Sequence, residues 1–232
     1  IAFSYRQTVH AYPQGGGSYR VSRENLGQLP GLVAGASILI DYILTVAVSI
    51  VAGSAAITSA LIASGYGERL HSLEALLPHF LNPNVLLSLC FIGLITLGNL
   101  RGIRESGTIF AIPTYVFIVS LSGMLALGFF KAFTGTLEPT TPPPMLPIAE
   151  PLGVWLILRA FSAGAVAMSG TEAIADGVPA FQKPESKNAA TTLTIMATLL
   201  GLFFLGVSYL ATHIGLVPGE ETIISQVARA VF

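Results

Sequence analysis

The sequence predicts an all-α, polytopic membrane protein. Hydrophobic residues fill 53% of its 232 positions and charged residues only 10%, where soluble domains carry about 25% charged residues. The apolar residues gather in runs of spanning length, parted by turns rich in proline, glycine and charge. Lysine and arginine collect on alternate turns, as expected of a chain that crosses a bilayer repeatedly. A net charge of −1 gives no reason to expect a nucleic-acid partner.

Residues 1–30 read as the end of one membrane helix followed by an amphipathic loop. Within the loop, Tyr12-Pro13-Gln14-Gly15-Gly16-Gly17 joins a proline to a run of glycines, strong turn punctuation whose plain reading is a flexible connector. The first full span covers about 31–63, interrupted only by Asp41. It exceeds the roughly 20 residues that cross a bilayer, so it should tilt or extend. Ala34, Gly35, Ala47, Ala52 and Gly53 allow close helix approach, which suits a helix central to a bundle. A polar connector, 64–83, leads to a span over about 84–98. The basic turn Asn99 to Gly107 precedes a third, over about 108–130, with Pro113 near its start. Six prolines in 131–151 make that stretch extended. A fourth span, 152–179, is broken near 169–172, and a fifth covers about 189–215. Beyond Pro218-Gly219, Ile223, Ile224, Val227 and Val231 repeat at the spacing of an amphipathic helix.

Arg6, Arg20, Arg23, Arg101, Arg104, Lys183 and Lys187 fall on one set of loops; Arg69, Lys131 and Arg229 fall on the other. This distribution places loops 5–30, 99–106 and 180–188 in the cytoplasm. Ile1 is not an initiator methionine and Phe232 stops mid-pattern. The expectation is a single transporter domain over 1–232, an internal fragment incomplete at both ends.

Two carboxylates stand inside spans, where a charge costs roughly 2.5–3.5 kcal/mol on insertion scales and usually marks an ion or substrate pathway. Asp41 shares one helical stripe with Thr45 and Ser49, all within about 80° at ~100° per residue, and Tyr42 stands at its edge. A carboxylate with hydroxyls offers hard oxygen ligands for an alkali cation or an ammonium group. Glu172 lies in Ser169-Gly170-Thr171-Glu172-Ala173-Ile174-Ala175-Asp176-Gly177-Val178-Pro179, a poor recipe for a continuous helix and a good one for a broken helix at a transport site. Glu172 is expected to ligate a cation or to carry a proton. Asp176, near Pro179 and the basic turn, reads as a helix-end residue. Arg159 reads as a snorkelling or gate arginine, His213 as a satisfied interfacial histidine, and Trp155 and Tyr209 as interface or packing aromatics. Cys90, the single cysteine, reads as a small buried apolar residue. No phosphate-binding loop, zinc-ligand spacing, dithiol motif or nucleophilic serine turn occurs. The expectation is transport rather than catalysis, with no cofactor and no metal beyond an alkali cation at the same residues.

These residues carry a resemblance. Tyr12-Pro13-x-Gly15-Gly16-Gly17-x-Tyr19 resembles the cytoplasmic signature after the second helix of amino acid–polyamine–organocation (APC) superfamily permeases. Asn99-x-x-Gly102 and Phe181-x-x-Pro184-x-x-Lys187-Asn188-Ala189 are similar to further loops of that superfamily. Asp41-Tyr42-x-x-Thr45-x-x-x-Ser49 and Ser169-Gly170-Thr171-Glu172 most resemble the KimA-type branch of potassium–proton symporters, with Ser169 where threonine is expected. The resemblance implies a LeuT-like 5+5 inverted repeat, here family helices 2 to 7, with broken first and sixth helices. It also implies a cation site of Asp41, Tyr42, Thr45, Ser49, Ser169 and Glu172, with proton coupling on Asp41 or Glu172. The expected activity is proton-coupled potassium uptake by alternating access in the cytoplasmic membrane; the alternative is a proton-coupled amino acid permease. Expected partners are the lipid bilayer, protons and potassium or an amino acid, with a homodimer left open as the assembly.

Overall fold

The computed structural model describes residues 1–76, 78, 81–100, 103–137, 153–165, 170–217, 219 and 221–232. The proline-rich stretch 138–152 and Ser169 lie outside the described residues. All regular elements among those described are helical. They are α1 (Ala2–Ala11), α2 (Gly17–Leu26), α3 (Gln28–Leu61), α4 (Gly67–Leu76), α5 (Pro83–Asn99), α6 (Ile103–Thr134), α7 (Val154–Ala165), α8 (Glu172–Asp176), α9 (Glu185–Ile214) and α10 (Ile223–Val231). Three stretches are long and apolar enough to cross a membrane: Gln28–Leu70, Gly107–Thr134 and Glu185–Ile214. Pro83–Asn99 and Val154–Gly164 are shorter apolar helices.

Helix boundaries follow local chemistry. Asn82 caps α5 by accepting from the Val85 N–H at 2.9 Å, with Pro83 in the first turn, where its missing N–H costs nothing. α3 passes through a π-helical segment, Ile62–Tyr66, that contains Gly65 at φ +85°. The chain then continues as α4. The connector expected over 64–83 is thus partly helical, and so is the expected loop before residue 30, which folds as α2. Their short, polar sequences hid both helices.

The chain divides into two compact units. The first holds residues 1–46 and 147–202, the second 47–146 and 203–232. In the first, Val9 of α1 is buried with Ala175, Val178, Ala189 and Ala190, fastening α1 to α8 and α9. α2 runs beside the start of α3 at small residues: Tyr19 packs over Gly35 and Arg23 over Gly31. Such contacts suit a lipid setting, where close backbone approach replaces hydrophobic drive between helices.

In the second unit α6, α9 and α10 share a core of Leu121, Met124, Leu125, Leu210, Ile214 and Val227. Phe129, Tyr209 and His213 stack in series, with centroids 5.5 and 5.8 Å apart. Tyr209 and His213 therefore pack on each other. α10 docks through Val227 and Val231, one turn apart and fully buried. Its first turn is tied down by Thr222, whose N–H donates to Ser59 Oγ of α3 at 3.0 Å and whose hydroxyl accepts from the Ser225 N–H. Cys90 is exposed rather than buried. It lies on an apolar face of α5 with Leu86 and Leu89, also exposed, and a thiol suits such a lipid-compatible surface.

Gly128 and Gly123 lie on the same helix but differ sharply. A Cβ on Gly128 would stand 2.6 Å from a Leu210 methyl and 3.1 Å from one of Val231, whereas Gly123 faces open space. Gly128→Leu should therefore cost about 1–3 kcal/mol through overpacking and Gly123→Leu less than about 0.5 kcal/mol. Thermal unfolding of the detergent-solubilised protein compares the two, and equal melting points would contradict this packing.

Candidate functional site

The site is built around an interrupted backbone. Gly170 takes φ +87°, a left-handed value that glycine adopts without steric cost. Its N–H donates to Glu172 Oε1 at 3.1 Å, and its carbonyl accepts from the Ala173 N–H at 3.2 Å. A break at membrane depth must satisfy its polar groups internally. Glu172 does so with its own carboxylate, then begins the short α8.

That carboxylate also faces α3, where the Asp41 side chain stands within hydrogen-bonding reach. Two ionised carboxylates at such range repel, a cost that a proton or a cation between them relieves. Both groups line a cavity of about 860 Å³ whose wall includes Thr171, Tyr5, Ser18 and Ser37. Thr171 is buried and hydrogen-bonded or otherwise engaged, and the Tyr5 and Ser18 hydroxyls lie 3.4 Å apart. The wall is therefore rich in hydroxyl oxygens around two carboxyls.

Next along α3, the Tyr42 hydroxyl donates to Asp176 Oδ2 at the end of α8. The other oxygen, Asp176 Oδ1, is buried with no hydrogen-bond partner among the described residues. The Asp176 carbonyl accepts from the Gly16 N–H at 3.1 Å. Gly15, Gly16 and Gly17 take φ values of +75°, +90° and +38°. A Cβ on Gly15 would strike the Asp176 carbonyl, and one on Gly17 would strike its carboxylate. The glycine run is therefore a tight backbone seat for the end of α8 rather than a flexible connector.

Of the residues expected at the site, the structure brings Asp41 and Glu172 together. Tyr42 is adjacent but engaged with Asp176. Thr45 is half-buried one turn beyond Asp41 and has a partner of its own. Ser49 is exposed and belongs to the second unit. Ser169 lies outside the described residues. Thr171, Tyr5, Ser18 and Ser37 were missed as lining groups. Thr171 sat inside the suspected motif and could have been included. The others lie in segments whose path the sequence does not show.

The glycine seat yields a direct test. Gly17→Ala combines an unfavourable positive φ with a collision at Asp176 and should lower stability by about 1–3 kcal/mol. Gly53→Ala, in open space on a regular helix, should be neutral or slightly stabilising. Melting of the detergent-solubilised protein reads both, and an undisturbed Gly17→Ala variant would contradict the seat.

Comparison with known proteins agrees with this architecture. A family model described as amino acid permease matches residues 1–232. The chain is 45% identical over 235 residues to the Bacillus subtilis (strain 168) protein named potassium transporter KimA, covering 100% of this chain and 36% of that protein. It is 27% identical over 145 residues to the Escherichia coli (strain K12) low-affinity putrescine importer PlaP, covering 61% of this chain and 28% of the importer. The chain thus spans about a third of the length of the relatives it matches. Matched by the family model from end to end, this all-α, multi-pass membrane chain belongs to the amino acid permease family of the APC superfamily, whose members share the LeuT-like fold.

Proposed function

We propose that the chain forms part of a secondary transporter that carries potassium into the cell by alternating access, coupled to protons. The observation that carries this reading is the approach of Asp41 and Glu172 on a hydroxyl-lined cavity beside an interrupted helix. A potassium ion there would exchange its water shell for carboxylate and hydroxyl oxygens. A proton would serve as the alternative occupant of the carboxyl pair, which links the two species without any other titrating group. The name of the Bacillus subtilis relative supports potassium as the cargo. In this reading Asp41, Tyr42, Thr45, Ser49, Ser169 and Glu172 remain the proposed cation ligands, with Thr171 added to them. Rocking of one helix group against another would expose the site to each side in turn.

A second reading is favoured by a specific observation. Two carboxyls beside hydroxyls also suit an organic ammonium group, and one relative is named a putrescine importer. In that reading an amino acid or polyamine ammonium takes the cation position.

Uptake of rubidium, labelled amino acids and labelled putrescine by the full-length carrier in proteoliposomes separates the two. Rubidium uptake that potassium competes away, and that falls when a protonophore collapses the pH gradient, is the expected result. Ammonium-substrate uptake without rubidium uptake would overturn the potassium reading. Asp41→Asn and Glu172→Gln should each lower uptake by about tenfold to a hundredfold, the worth of one charged ligand bond at 1.5–3 kcal/mol. Wild-type rates in both variants would instead remove these residues from the site.

A further inference from the structure

Away from the carboxylate cavity, α1 and α9 enclose a second concavity of about 300 Å³ lined by Arg6, His10, Lys187 and Thr191. Arg6 and His10 stand one turn apart on α1, and Lys187 and Thr191 one turn apart on α9, so each pair shares a face. No carboxylate lines this pocket among the described residues. Among the described residues the Arg6, His10 and Lys187 side chains make no ion pair or hydrogen bond. Arg6 and Lys187 share the pocket with no acid beside them, and two such cations repel one another unless an anion joins them.

Arg6 also lines a neighbouring concavity of about 270 Å³, whose other walls are Ala2, Phe3, Thr194, Ala197 and Thr198. Thr194 lines both pockets. The Thr194 and Thr198 hydroxyls donate back to the carbonyls of Ala190 and Thr194, at 2.8 Å in each case. The hydroxyls of those residues are therefore already satisfied by the helix backbone. The seam thus changes character along its length, from basic beside Lys187 at the start of α9 to apolar as α9 runs into its spanning portion.

From this we propose that the α1–α9 seam binds an anionic phospholipid, its phosphate headgroup between Arg6, His10 and Lys187 and an acyl chain along Phe3, Ala197 and Thr198. A free phosphate would use only the basic end. The contiguous apolar end, on a helix of membrane-crossing length, is what favours a lipid. Basic pockets between membrane helices on the cytoplasmic side are a known setting for such headgroups, and the distribution of lysine and arginine puts the Lys187 turn on that side.

The test uses the full-length carrier in nanodiscs of phosphatidylcholine doped with phosphatidylglycerol, with retained lipid counted by native mass spectrometry after detergent extraction. Wild type should retain phosphatidylglycerol over phosphatidylcholine. Arg6→Gln with Lys187→Gln should weaken that retention on the order of tenfold or more, each cation near an anionic surface being worth about fivefold. Thr198→Phe, which fills the apolar end and leaves the cations in place, should also reduce it. Millimolar inorganic phosphate should not displace the lipid. Unchanged retention in the double variant would overturn the proposal. So would displacement by inorganic phosphate together with an unaffected Thr198→Phe variant, which would make the occupant a free anion. If the double variant does not fold, Thr198→Phe and phosphate competition on wild type decide the question.

Discussion

An interrupted helix inside a membrane has to satisfy its own polar backbone, and that constraint organises the first unit. Glu172 closes the break by accepting from the Gly170 N–H, while Gly16 takes the Asp176 carbonyl at the far end of α8. The short helix is therefore pinned at one end by a side chain and at the other by a glycine-rich backbone seat. The first pin is the group that faces Asp41. In the proposed function, a proton or cation shared by the two carboxyls would act directly on the group that closes the break. Local backbone geometry and occupancy of the site are thus linked through one carboxylate, with no relay needed.

The second unit holds together by different means. Apolar helices gain little from one another in lipid, so fit and hydrogen bonding decide their packing. The Ser88 hydroxyl bonds Ser54, which is buried on α3, at 3.1 Å. Ser59, also buried on α3, receives the Thr222 N–H at the start of α10. Glycine provides the fit: Gly206 admits Leu125 and Phe129, and Gly128 admits Leu210 and Val231. Arg229 pairs with Glu221 at 2.8 Å, and Glu221 also accepts from the Ser225 hydroxyl at 2.8 Å. These bonds fasten α10 to the segment that precedes it.

Much of this was legible because membrane chains make carboxylates conspicuous. Asp41 and Glu172 stood out against apolar surroundings, and glycine beside Glu172 announced a broken helix. The Tyr42–Asp176 bond was not legible, since its partners lie 134 residues apart and no local periodicity reports such a pairing. The glycine run illustrates a different limit. Its residues announce a turn, but nothing in them says that the turn serves as a seat for Asp176 rather than as slack between helices. Ser49 marks another limit, because a shared helical stripe fixes a common face of α3 and not a common site. On so long a helix as α3 a stripe passes from one unit into the other, and Ser49 is exposed. The helices α2 and α4 escaped because they are short and polar and sit beside strong turn signals, which read as loop.

The faces of α1 connect the carboxylate cavity with the proposed lipid seam. Ser4, Tyr5 and Thr8 line the cavity, and Arg6 and His10 line the basic pocket. At ~100° per residue Arg6 points roughly 160° away from both Ser4 and Thr8, so the helix separates the two spaces like a partition. Val9 is wholly buried between them, against Ala189 and Ala190. The proposed headgroup would draw Arg6 and His10 toward Lys187, and with them the partition toward α9, beside the buried Val9 contact. Such a pull alters transport only to the extent that the distance across the seam differs between the states of the cycle, because a ligand shifts an equilibrium by its differential affinity alone. The carboxylate cavity has α1 as one of its walls, so a change in that distance is a change in the width of the cavity itself.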